Sequence, residues 1–223
     1  MLSADLGLAL AAGAGLIAVE VARSVPAWLR VRRSRRVDGL SAVSLGVLLG
    51  SIPAWLAVAV LAQAWGVLVA TVVWAVFHVR LCREAVRLDA SFRVTMPRAA
   101  GATLAGLALI GVVGESVGAL RMSVGLALVA VSAAYSIPAL WSGMRAKDVA
   151  GISITATAVS AVEGVIYLVV GMGWTGTVVV PSYLAFGALA VLSNVPRCWR
   201  AVARRAREAR RERLEPLGLG FES

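Results

Sequence analysis

Apolar stretches of roughly 20 residues, the length that a bilayer core of about 30 Å demands of a helix, recur along this chain. They run approximately over 6–29, 39–60, 62–80, 99–120, 122–143, 150–172 and 176–196, with polar or basic segments between most of them. The pattern predicts an all-α membrane protein with seven transmembrane helices. The tightest junction lies near Ala62, where 39–80 must hold two helices joined by a very short turn. A pair of half-length helices is the alternative there.

Laid over itself at an offset of 112, the chain aligns 13–56 with 125–168 without a gap and with fourteen identities. These include Gly13/Gly125, Pro26/Pro138, Arg33/Arg145, Gly39/Gly151 and Ser41/Ser153, so the match is not confined to abundant aliphatic residues. A duplicated unit is implied. The fourth stretch lies between the copies and has no partner, which predicts two parallel three-helix repeats joined by a linker helix. The corresponding divisions are 1–98 for the first repeat, 99–121 for the linker, 122–199 for the second repeat and 200–223 for a basic tail.

Composition agrees with immersion in lipid: 60% of residues are hydrophobic and the mean hydropathy is +0.85. The net charge of +10 does not point to nucleic acid, because of where it falls. Basic residues cluster at 30–36, 80–98, 145–147 and 197–213, all on one side of a seven-span topology, and the opposite connections hold only Arg121. The positive-inside rule then puts the N-terminus outside and the C-terminus in the cytoplasm, and the plasma membrane is the expected location. The N-terminus lacks a charged n-region and a cleavage site, so the first span is expected to be retained. Cys82 and Cys198 have no Cys or His neighbour at metal-ligand spacing and read as packing residues. No nucleophile–base set, metal cluster or phosphate loop occurs, so neither an enzyme nor a cofactor is expected.

Each copy reads as a proline, a basic turn, Gly-[Leu/Ile]-Ser and an aromatic residue 29 positions after the proline. In residues this is Pro26, Gly39-Leu40-Ser41 and Trp55, then Pro138, Gly151-Ile152-Ser153 and Tyr167. The pattern resembles the PQ-loop repeat, and the three-one-three arrangement is similar to the SWEET sugar transporters. "YSIP" at 135–138 and "VVVPSYLAFG" at 178–187 resemble signatures of the fifth and seventh SWEET spans. Alanine follows both prolines, where the family motif has glutamine. The resemblance implies a sugar site near the midplane, with Thr71 and Ser182 in the positions of the family's asparagines, or Gln63 in a gapped register.

Pro26 and Pro138 are expected to kink their helices near one end, and their equivalent placement makes them a candidate hinge pair. Trp55 and Tyr167 are candidate pocket walls, with an interfacial aromatic belt as the alternative. Thr71 and Ser182 can bond solute or pack helices. Glu163 lies thirteen residues into the sixth span, where a carboxylate is costly and marks a candidate functional site. It could bind solute, carry a proton or pair with Arg23. Arg23, one turn from Glu20, stands where the second copy has Tyr135, and both are candidate gate residues. His78 reads as a snorkelling or capping residue rather than a proton relay.

The expected partners are a small-molecule solute and, along a basic stripe of Arg197, Arg200, Arg204, Arg207 and Arg211, anionic lipid headgroups. A homo-oligomer seam through the glycines of the fourth span is ranked below packing within the chain. Three functions stay open. The first is a transporter of a small polar solute, with sugar favoured by resemblance. The second is a proton-coupled carrier of an amino acid or other charged metabolite through Glu163. The third is a membrane sensor or receptor on the same fold.

Overall fold

The computed structural model describes residues 2–61, 65–173 and 180–214. These form seven helices, with no strand among the described residues: α1 (Leu2–Ser34), α2 (Ala42–Leu61), α3 (Trp65–Leu88), α4 (Ala90–Ser116), α5 (Leu120–Arg145), α6 (Ile154–Gly173) and α7 (Val180–Leu214). Three segments are long and apolar enough to cross a membrane, namely Trp65–Leu88, Ala90–Ser116 and Met122–Arg145. Ala42–Ala57 and Ile154–Leu168 are shorter apolar helical segments.

Several helices outrun the apolar stretches that nucleate them. α1 continues through Arg30, Arg32 and Arg33, and α7 continues to Leu214. Arginine is a good helix former, and beyond the apolar region its charge meets no desolvation cost. The junction between α3 and α4 is a single residue, Asp89, whose carboxylate accepts the Ser91 backbone N–H at 2.8 Å as an N-cap. Pro26, Pro53, Pro97, Pro138 and Pro196 all lie inside helices, each removing one backbone donor.

α3 packs on both α1 and α2, and α7 packs on both α5 and α6. Between these groups α1 meets α6, and α5 meets α2. α4 lies mainly against α2 and α5. Glycines make close crossings of α2 on α4, where a Cβ on Gly50 would lie 2.2 Å from Ala100 O, and of α6 on α7. A Cβ built on Gly164 would lie 2.8 Å from the Gly187 carbonyl oxygen, and one on Gly187 would lie 2.6 Å from that of Gly164. An apolar cluster at one end of the bundle joins Val31, Leu45, Leu81, Cys82, Ala85, Phe92 and Met96. Cys82 is 2% exposed there, which makes it a packing residue.

The two Gly-[Leu/Ile]-Ser turns face each other. Gly39 has φ +81°, which favours glycine, and a Cβ there would meet Ile152. Gly151 in turn packs on the backbone of 36–38 and donates its N–H to Asp38 O at 3.2 Å. Across the same seam Arg36 pairs with Asp148 at 2.7 Å, and Arg30 Nε donates to Ala150 O at 2.6 Å.

Candidate functional site

One cavity of about 290 Å³ occupies the middle of the bundle, bounded by α1, α2, α3, α5, α6 and α7. Six of the residues singled out from sequence line it together: Arg23, Trp55, Thr71, Tyr135, Glu163 and Tyr167. Pro26 and Pro138 do not line it, but their neighbours Ala27 and Ala139 do. The side chain of Ser182 and all of Gln63 lie outside the described residues.

Charge enters the cavity through a triad. Arg23 on α1 donates from Nη1 to Glu163 Oε2 on α6 at 2.5 Å and from Nη2 to Glu20 at 2.5 Å. Glu163 is 7% exposed. Both pairings weighed from the sequence, the local one and the long-range one, therefore occur at once. The spacing of Glu20 and Arg23 by one turn sets the first. The second requires the contact of α1 with α6. One guanidinium faces two carboxylates, so the fully ionised triad carries one negative charge.

The aromatic residues Trp55, Tyr135, Tyr167 and Phe186 line the same cavity. The Phe186 ring lies 4.8 Å from that of Tyr167, 6.2 Å from Trp55 and 6.4 Å from Tyr135, the first two pairs edge-to-face. Trp55 therefore belongs to the interior, whereas Trp65 is 64% exposed. Phe186 lies within the stretch resembling the seventh-span signature, but spacing along the chain gives no sign of its contact with these three rings.

Hydroxyls line the remainder. Thr71 is buried but donates its hydroxyl to Val67 O at 2.8 Å, one turn back on its own helix. Only its lone pairs face the cavity. Thr157 likewise bonds back, to Ser153 O and Ile154 O, each at 3.0 Å. Ser153 accepts the Ala156 N–H at 3.2 Å and so acts as a cap for α6. His78 is 5% exposed, stacks on Trp74 at 5.4 Å and bonds through Nε2 to Leu45 O at 3.0 Å. A carbonyl only accepts, so Nε2 carries the proton, and His78 lines the cavity instead of snorkelling.

The basic stripe divides when folded. Arg197 lines the cavity. Arg200 turns to the end of α5 and donates to Gly143 O at 2.6 Å and Ala146 O at 2.5 Å, satisfying carbonyls that a helix terminus leaves open. Arg205 donates to Ile152 O at 2.9 Å, and burial followed by the nearby Arg30 holds it below the usual arginine pKa. Asn194, the chain's only asparagine, also lines the cavity and donates to Ala190 O at 2.9 Å. No group of three or more His, Cys, Asp or Glu suited to a metal occurs among the described residues. Compared with known proteins, the chain matches no family model, no curated protein and no solved structure.

Proposed function

We propose that this chain is a membrane transporter that moves a small polar solute through the central cavity by alternating access. The observation that carries the reading is the cavity itself: mainly apolar but holding Glu20, Arg23, Glu163 and Arg197 in its lining, and walled by helices from both copies of the repeat. Its volume of about 290 Å³ suits a small metabolite, near the lower end of ligand pockets. A buried carboxylate in such a setting is expected to serve function.

Seven spans built as two parallel repeats are part of the same proposal. The exchange of contacts supports this, since α1 with α6 becomes α5 with α2 when the copies are swapped. The paired turns at Gly39 and Gly151 lie where a gate between the halves would close, and Pro26 and Pro138 would act as its hinges. PQ-loop and SWEET kinship, with sugar as substrate, rests on the sequence motifs. A cytoplasmic C-terminus in the plasma membrane rests on the placement of basic residues.

The Arg23–Glu163 pair favours a second reading, in which Glu163 takes a proton during the cycle and couples transport to it. Flux into liposomes containing the purified protein separates the cases. Uptake of a labelled solute that does not change with pH supports the uniporter. Proton-dependent uptake lost in Glu163→Gln supports the coupled carrier. No flux of any solute would leave the sensor or receptor reading in its place.

A further inference from the structure

Arg197 is a half-buried cation with no anion beside it among the described residues. The six ion pairs recorded there leave it out. A guanidinium presents five N–H donors. From Arg197, Nη1 reaches Asn194 Oδ1 at 3.3 Å, and the buried Nε has no partner. The acids that line the cavity, Glu20 and Glu163, are both engaged by Arg23.

A notch in α5 holds the arginine in place. The Arg197 Cγ, Nε and Cδ atoms lie 2.8, 2.9 and 3.1 Å from where a Cβ of residue 143 would stand, and that residue is Gly143. The side chain packs against α5 in this gap, and Arg197 lines the cavity with Ser193 and Asn194. Glu20, Arg23, Tyr135, Glu163 and Arg197 all line this cavity, so the acidic triad and the arginine share one chamber. A charge removed from water and left unpaired is strongly unfavourable. A guanidinium seated in a shaped notch and facing a cavity calls for a ligand of opposite sign.

We propose that Arg197 binds the carboxylate of a small hydroxylated solute, making the transported class a sugar acid or comparable hydroxy acid and not a neutral sugar. The assignment rests on the transport reading above. The planar fork of arginine matches a carboxylate with two parallel hydrogen bonds. The hydroxyl-bearing end of the solute then meets Ser153, Ser160 and Asn194, and its carbon skeleton lies on Trp55 and Phe186.

The test uses the full chain, in neutral detergent and in phosphatidylcholine vesicles, with D-gluconate and D-glucose as probes of the same skeleton. The expected result is that gluconate binds at least tenfold more tightly than glucose and enters vesicles at least tenfold faster. Arg197→Gln removes the preference, and Arg197→Lys keeps part of it, retaining charge but not the fork. Glucose binding as tightly as gluconate overturns the assignment, as does a preference that survives in Arg197→Gln. Glucose entering as fast as gluconate keeps the transporter and removes the anion site. Gluconate binding that depends on Arg197, with neither solute entering, keeps the anion site and removes transport. Absence of both binding and entry overturns both. If Arg197→Gln does not fold, the wild-type comparison with Arg197→Lys decides.

Discussion

Arg23 and Glu163 stand 140 residues apart in the chain and 2.5 Å apart in the fold, a link between α1 and α6 inside an apolar bundle. The side chains of the triad are largely shielded, with Arg23 19%, Glu20 15% and Glu163 8% exposed. The arrangement is asymmetric, since one cation serves two anions.

Removing the cation is therefore expected to cost more than removing either anion. Arg23→Leu leaves two shielded carboxylates side by side and should destabilise the protein by about 3–5 kcal/mol, the range for breaking a buried pair. Glu163→Gln leaves Arg23 with Glu20 and an amide acceptor, and should cost about 1 kcal/mol or less. Unfolding of both variants in detergent measures this order, and equal losses would show that Glu20 contributes nothing.

The seam between the turns at Gly39 and Gly151 should act as a weak latch. The Arg36 side chain is 53% exposed and that of Asp148 23%, and pairs this open contribute about 0.2–1 kcal/mol. Arg36→Ala is then expected to raise the opening equilibrium by no more than about fivefold. Thiol labelling at Ser153→Cys, with Cys82 and Cys198 replaced, reports that opening. Arg30→Ala should add to the effect, because it frees Ala150 O at a shielded position.

Glycine replacements should divide sharply by what each glycine faces. Gly164→Ala or Gly187→Ala drives a methyl into the facing backbone and should destabilise by about 1–3 kcal/mol, the usual cost of overpacking. Gly101→Ala and Gly106→Ala in α4 meet nothing within 4 Å and should be neutral or stabilising by up to about 1 kcal/mol. Melting temperatures of the four variants test this. Loss of stability at Gly101 or Gly106 would place an unseen partner on α4.

Thr71 should matter less than its position suggests. Its hydroxyl proton is already given to Val67 O, so Thr71→Val removes only acceptor capacity toward a solute. Solute affinity is expected to change by less than about threefold, below the roughly 1 kcal/mol of a typical net hydrogen bond. Phe186→Ala, which removes the ring shared by Trp55, Tyr135 and Tyr167, should weaken solute binding by at least about tenfold, or 1.4 kcal/mol. A larger effect at Thr71 than at Phe186 would reverse this ranking of the wall.

By itself the sequence determined that the chain is helical and carries the same Gly-[Leu/Ile]-Ser motif twice. Hydropathy and proline placement act over neighbouring residues, and those local terms do not depend on which helix lies beside which. It also exposed Glu163 as costly, because a lone carboxylate in an apolar run is conspicuous wherever the run packs. Only the tertiary structure decided what each polar group does. Arg197 reads as one tooth of a basic stripe until Gly143, 54 residues away, provides the gap that turns it inward. Thr71 looks like a solute ligand until its hydroxyl is seen bonded to its own helix. Phe186 gains its role from three rings on α2, α5 and α6 that no spacing along α7 reveals. Burial of apolar surface is a property of a segment, whereas the partner of a charge or hydroxyl is set by which helices come into contact.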